Sequence, residues 1–118
     1  MFRFDGSFRG GSLLYVNVGW CGYCTKARPI MDQVSLALGH GVPVYDVDGD
    51  VWREYLVSRL GEFAPKSYPT ILFIGRNGDV IPYTGERAVD EIVAFACKHA
   101  GDHSGVIGAC QGNTVFGE

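Results

Sequence analysis

Apolar and polar positions follow three rhythms along the chain. Phe2-Arg3-Phe4-Asp5 alternates with a period of two, like a short edge strand, and Gly6, Gly10 and Gly11 then break it. Leu13 to Val18 is a compact, mostly apolar run, which suits a central strand covered on both faces. From Thr25 to Leu38, Ala27, Ile30, Met31, Val34, Ala37 and Leu38 recur at helical spacing and predict one buried stripe. Pro29 lies inside that helix and is expected to bend it, and Gly39 is its expected stop. Val42 to Val47 reads as the next strand. Asp50 is placed to cap a second helix that carries Trp52, Tyr55, Leu56 and Leu60 and closes at Gly61. Thr70 to Ile74 and Val80 to Tyr83 read as strands joined through Gly75-Arg76-Asn77-Gly78-Asp79, where Asn-Gly is a hairpin signal. A last helix is expected to bury Val89, Ile92, Val93, Ala96, Cys97 and Ala100.

The order is therefore β-α-β-α-β-β-α with a β start. A helix between two strands implies a parallel pair, and the hairpin adds an antiparallel one. The fold class is α/β, with a mixed central sheet and helices on both faces. Residues 1–100 form the expected domain; residues 101–118, glycine-rich and aperiodic, read as a loose tail. The 118 residues are 47% apolar, which supports one packed core without disulfide staples. A net charge of −3 gives no reason to expect binding to nucleic acid or to an anionic membrane. No apolar run approaches the ~20 residues needed to span a bilayer. Met1-Phe2-Arg3-Phe4-Asp5 does not read as the start of a secretory signal. Taken as the native start, it predicts a cytoplasmic protein, although a trimmed mature chain would look the same.

Candidate chemistry concentrates in Trp20-Cys21-Gly22-Tyr23-Cys24. Two cysteines with two residues between them stand where an apolar strand runs into a helix. A thiol at a helix N-terminus meets unpaired backbone N–H groups and the positive end of the helix dipole, which favour its thiolate. The second thiol lies one turn along, close enough to form a disulfide with the first. In a reducing compartment such a pair reads as redox or metal chemistry rather than as a structural bridge.

The chain resembles the thioredoxin family from roughly Leu13 to Ala100. Four features carry the resemblance: the Cys21–Cys24 motif at its strand-to-helix junction; Pro29, five residues beyond Cys24; Val44-Tyr45-Asp46-Val47-Asp48; and Tyr68-Pro69-Thr70-Ile71-Leu72-Phe73 followed by Asn77-Gly78-Asp79-Val80. The resemblance implies a thioredoxin-like fold and a thiol–disulfide oxidoreductase with no cofactor and no metal. Cys21 is then the nucleophile and Cys24 the resolving thiol. Trp20, Gly22, Tyr23, Tyr68 and Pro69 face substrate, with the Tyr68–Pro69 bond cis. Its implied partners are protein disulfides or dithiols and an electron donor of the thioredoxin reductase kind, and the protein is expected to be a monomer.

The chain departs from the family in two places. Only 12 residues precede Leu13, so the family's first helix is expected to be missing or very short. Tyr15 stands six residues before Cys21, where thioredoxins carry a buried Asp, and Val44 replaces the partnering lysine. A phenol titrates near ~10 and is a poor base at neutral pH. Gly22-Tyr23 is neither the strongly oxidising nor the reducing pair of the family and leaves the direction of electron flow open. The chain also lacks the strand and turn sequences by which glutaredoxins hold glutathione.

Other residues invite plainer readings. Asp46, Asp48 and Asp50 do not match an EF-hand loop, since Gly49 falls fourth rather than sixth; a strand end and a helix cap explain them better. Lys26 and Arg28 read as a solvated helix face, with a thiolate-favouring field as the sharper option. Cys97 and Cys110 are expected to be two unrelated thiols, with a bridge between them as the alternative. His40, His99 and His103 read as solvated loop or helix-end residues. Two alternatives to the oxidoreductase stay open: a binding or assembly module with incidental cysteines, and a metal or iron–sulfur site at the Cys21–Cys24 pair.

Overall fold

The computed structural model describes residues 1–101 and 107–111. Its elements are β1 (Phe2–Arg3), β2 (Ser12–Asn17), α1 (Gly22–Leu38), β3 (Val44–Asp48), α2 (Arg53–Leu60), a 3-10 turn (Gly61–Phe63), β4 (Thr70–Ile74), β5 (Val80–Pro82) and α3 (Val89–Ala100). The five strands form one mixed sheet in the order β1-β3-β2-β4-β5. β3 runs parallel to both β1 and β2, while β4 is antiparallel to β2 and β5. No helix separates β1 from β2. Among the described residues no helix is long and apolar enough to cross a membrane.

β2 is the centre of the sheet, and its sequence explains why. Every residue from Ser12 to Val16 is buried. Leu13 and Tyr15 point into a core shared with α1 and α3. Leu14 and Val16 point the other way, into a core closed by α2. A strand that is apolar on both faces needs a helix on each. In α1 the buried stripe is Cys24, Ala27, Met31, Val34 and Leu38; of the predicted stripe, Ile30 is half-buried and Ala37 is exposed, each one step off the buried face. Gly39 ends α1 at φ +57°, where a side chain would be strained, and returns its N–H to the Ser35 carbonyl at 2.9 Å. Phe4 is buried beneath α2, edge-on to Trp52 with ring centroids 4.8 Å apart.

Three local expectations are corrected. β3 begins at Val44, since Pro43 has no N–H to give the ladder. Asp50 does not cap α2, whose N-cap is Trp52 with no side-chain bond. The turn before α2 is held instead by Asp48, whose carboxylate accepts the N–H groups of Asp50 at 2.9 Å and Val51 at 3.2 Å.

The third correction concerns Cys97 and Cys110, which are joined by a disulfide across a Cα–Cα distance of 5.3 Å. Residues 108–111 make one helical turn, which puts Ile107 and Cys110 on the same side. Both are buried in the core between α1 and α3. Ile107 fills the space above Gly41, where an added Cβ would lie 2.4 Å from the isoleucine Cγ1. The alternative reading, a bridge, is the one that holds; what the sequence obscures is the docking that makes it, because its signal is two apolar residues in a segment without periodicity. The rest of the expected tail, residues 102–106 and 112–118, lies outside the described residues, as does His103.

Candidate active site

The cysteine pair is placed by the end of β2. After the buried Val18, the chain turns through Gly19 and Trp20, and the Cys21 N–H closes the turn on the Val18 carbonyl at 3.2 Å. Cys21 is the N-cap of α1, with extended backbone angles. Its Sγ accepts the Cys24 N–H at 3.1 Å, the bond a serine or aspartate cap would make. The same sulfur lies 3.5 Å from the Tyr68 carbonyl oxygen, to which its S–H donates. Both cysteines are free thiols; Cys21 is 8% exposed and Cys24 3%.

The opposite wall comes from the loop before β4. The Tyr68–Pro69 bond is cis. Tyr68 packs against Val18, Cys21 and Cys24, and its ring lies against Gly49, where an added Cβ would be 2.7 Å from the ring carbon Cε1. Trp20 meets Tyr68 edge-on at 5.9 Å and donates its indole N–H to Asp50 at 3.1 Å. Even so, Trp20 is 72% exposed and Tyr23 65%. Large aromatic surfaces left in water beside a thiol pair are suited to contact with another chain. Gly22 is also exposed, with open space above its Cα.

Burial pushes the Cys24 thiol up to about 11, and its hydrogen bond with Cys21 adds to this. The backbone of Val18 acts in the opposite direction, and the positive charge of Arg87 adds a smaller influence of the same sign. Arg87 stands in the loop before α3, with its guanidinium 5.7 Å from the centroid of the Tyr23 ring. That loop is held by the Glu86 N–H, which donates to the Glu91 carboxylate at 3.2 Å, and by the Tyr83 hydroxyl, which donates to the Glu86 carbonyl.

Tyr15 is fully buried behind the pair, and its hydroxyl donates to the Cys24 carbonyl at 2.6 Å. Burial raises its phenol to about 12, against the opposing charge of Arg28. It therefore holds its proton at neutral pH and anchors the first turn of α1 through that bond. Arg28 turns away from the thiols. Its guanidinium pairs with Asp46 at 2.9 Å, donates to Asn17 at 3.0 Å and lies 5.6 Å from the centroid of the Tyr15 ring.

The structure thus brings Trp20, Cys21, Cys24, Tyr68 and the adjoining Pro69 together, with Gly22 and Tyr23 on the exposed rim. The three aspartates diverge: Asp46 to Arg28 and Asn17, Asp48 to backbone N–H groups, Asp50 to Trp20. Of the two cations near the motif, Lys26 stays by the site, 5.9 Å from the centroid of the Tyr23 ring, and Arg28 does not. His99 is not simply solvated; its half-buried ring packs on Phe95 at 4.7 Å. Sequence reasoning missed Arg87 and Gly49. Arg87 reaches the site only through the folding of a distant loop. Gly49 carried a faint signal as a glycine between two aspartates directly after a strand.

Residues 10–98 match the sequence model of the family described as Thioredoxin. The chain is 32% identical over 93 residues to Protein disulfide isomerase-like 1-3 of Oryza sativa subsp. japonica, covering 79% of this chain and 16% of that protein. It is also 32% identical over 97 residues to the protein disulfide-isomerase of Hordeum vulgare, covering 80% and 18%. The chain spans less than a fifth of the length of these curated relatives. In fold it resembles the J-Trx1 fragment of ERdj5, with a TM-score of 0.68 at 20% identity over 84% of this chain and 51% of that one. The mixed five-stranded sheet with its helices is thus thioredoxin-like, and the close Cys21–Cys24 pair is consistent with thiol–disulfide oxidoreductase activity. The expected cytoplasmic location is overturned by these relatives: protein disulfide isomerases are proteins of the endoplasmic reticulum lumen, which points away from the cytoplasm. The Cys97–Cys110 bridge agrees, since structural disulfides persist in oxidising compartments.

Proposed function

We propose that this chain, which belongs to the thioredoxin family, is a thiol–disulfide oxidoreductase acting on protein disulfides and dithiols through Cys21 and Cys24. One observation carries the reading. The Cys21 sulfur caps α1, accepts a backbone N–H at 3.1 Å and lies 3.5 Å from the carbonyl of the residue before a cis proline. A thiolate there is held by the helix terminus and faces a wall that a substrate chain can reach.

The exchange has two steps. The Cys21 thiolate attacks one sulfur of the substrate disulfide; a Cys21–substrate S–S bond forms, and the other substrate sulfur leaves as a thiolate and takes a proton from water. The Cys24 thiolate then attacks the Cys21 sulfur and releases the second substrate thiolate. Two electrons have passed to the substrate, and the cysteine pair is left as a disulfide. Run backwards, the steps oxidise a substrate dithiol. A Cys21 bond that returns to a different substrate cysteine rearranges disulfides, which matches the name the relatives bear. The second forward step is the demanding one, because Cys24 must first lose a proton that burial holds tightly. Arg87 favours that loss, and Tyr15 keeps the Cys24 carbonyl in place without taking the proton.

Trp20, Gly22, Tyr23, Tyr68 and Pro69 face the substrate, and all these groups come from one chain, so exchange needs one copy. Reductive cycling needs an electron donor, for which a thioredoxin reductase-like protein is the reading the family supports. The test is insulin reduction driven by dithiothreitol. The protein is expected to accelerate it and Cys21→Ser to abolish the acceleration. A wild-type rate equal to the dithiothreitol background refutes the assignment.

A further inference from the structure

A groove of about 510 Å³ opens beside the thiol site. Trp20 and Tyr68 form its wall nearest Cys21, and Val57 of α2, itself 57% exposed, forms part of the far wall. Two exposed cations also line it: Arg53 at the start of α2, and Lys66 in the segment leading to Pro69. Among the described residues neither takes part in an ion pair; the pair found there is Arg28–Asp46. Asp50 is the one carboxylate lining the groove, and its oxygen is engaged by the Trp20 indole at 3.1 Å. Across Cys21, Lys26 and Arg87 stand over the exposed Tyr23 ring, at 5.9 and 5.7 Å from its centroid. Cations therefore stand both in the groove and over the Tyr23 ring next to the cysteine pair, in a chain whose net charge is −3.

We propose that the site selects extended, disulfide-bearing protein segments with acidic side chains beside the reacting cysteine, Arg53 and Lys66 receiving the carboxylate in the groove. This rests on the exchange reading above and names its substrate class. The apolar walls accept neighbouring side chains and lower the local dielectric, so the two cations act more strongly there than on an open surface. A basic segment in the same groove faces two like charges, against the single negative charge of Asp50, so the lining keeps a net positive charge. The selectivity belongs to the rate of encounter and so depends on ionic strength.

Two synthetic peptides with the same disulfide, flanked by glutamates in one and lysines in the other, test the proposal. Each is mixed with stoichiometric protein whose Cys21 and Cys24 are thiols and whose Cys97–Cys110 bridge is intact, and thiol release is followed over a single turnover. The Cys21–Cys24 dithiol supplies both electrons, ends as a disulfide and leaves two peptide thiols, so no other reductant is needed. At low salt the glutamate peptide is expected to react about tenfold faster. The ratio should fall towards one at molar salt. Exchanging both groove cations for acids, R53E with K66E, should reverse the order of the two peptides; both positions are exposed and leave the core untouched. Equal rates at low salt, or an unchanged ratio in the double variant, overturn the selectivity and leave the exchange reading standing. Release of thiol from neither peptide overturns the exchange reading itself.

Discussion

Removing the Cys97–Cys110 bridge should lower stability far more than its distance from the redox site suggests. The perturbation is the double variant Cys97→Ala with Cys110→Ala, made alongside Cys21→Ser and Cys24→Ser so that no free thiol can reshuffle. The bridge joins residues separated by 13 positions. In the chain-entropy account, closing a loop of that length stabilises the folded state by about 3 kcal/mol. Two sulfurs also leave the core, one from a site 6% exposed and one from a site fully buried. If each behaves like a buried methylene, they add up to about 1 kcal/mol apiece. The expected loss is therefore about 3–5 kcal/mol, a large part of the ~5–15 kcal/mol available to a domain.

Urea unfolding without reductant, against the parent carrying the same two serines, measures this directly. Ile107 supplies an internal control. Ile107→Ala should cost about 2 kcal/mol or more with the bridge intact, because the side chain is 4% exposed and fills the space over Gly41. Without the bridge, residues 107–111 can leave the core at little cost, so the same substitution should lose most of its effect. The two changes would then be non-additive, as expected of one cooperative unit. A loss below about 1 kcal/mol would refute the reasoning, and so would additive effects, or free thiols at Cys97 and Cys110 in the non-reduced, unfolded protein.

Four further outcomes follow from the site. Cys24 should alkylate slowly at neutral pH, its rate rising with pH towards the about 11 to which burial pushes the thiol, because only the thiolate reacts. Arg87→Ala removes a charge that lowers that value, so the rise should move to higher pH and slow the reaction at pH 8 by roughly threefold, the effect of one exposed charge; an unchanged or faster rate contradicts the assignment. Tyr15→Phe should cost about 1 kcal/mol in thermal unfolding for the lost hydrogen bond to the Cys24 carbonyl, while mixed-disulfide resolution proceeds at a rate close to wild type; resolution that stops would make the phenol the proton acceptor after all. Gly49→Ala pushes a Cβ to within 2.7 Å of the Tyr68 ring, so insulin reduction should fall about tenfold, the scale of a small displacement at a reacting site, with little change in melting temperature; full activity would show that the Tyr68 position is immaterial.

Much of the fold was legible because periodicity is a direct consequence of which faces are covered. Leu13 to Val18 announced a strand buried on both sides, and the stripes of α1 and α3 announced one-sided helices. What could not be read depended on short or distant contacts. Ala37 fits an apolar stripe of α1 by spacing, yet the buried face runs through Val34 and Leu38, so Ala37 stands one step to its side and meets water. The turn that buries Ile107 and Cys110 is too short to show a period. Arg87 is separated from Cys24 by 63 positions and becomes its neighbour only once the sheet has formed. Arg28 was readable as a cation on a helix but not as a partner of Asp46, since that choice depends on the parallel pairing that places Asp46 beside Tyr15.

That pairing also shows how the chain manages without a carboxylate behind its thiols. A buried acid at position 15 would face the sheet interior and need its own partner. Tyr15 fills the volume with a neutral group and spends its one proton on the Cys24 carbonyl. The charge lies one strand away, where Asp46 is held below the usual carboxylate range by its bonds to Arg28 and Asn17, in spite of its burial. An acid kept ionised by a guanidinium at 2.9 Å is a weak base, because protonating it would break the pair. Neither Tyr15 nor Asp46 is thus suited to receive the Cys24 proton. Two groups favour the Cys24 thiolate instead: the backbone of Val18, which is the larger influence, and the charge of Arg87, which adds to it. The Arg87 part of that influence comes from the exposed rim of the site, from a loop held by Tyr83 and Glu91, while the Val18 part is built into the turn that ends β2.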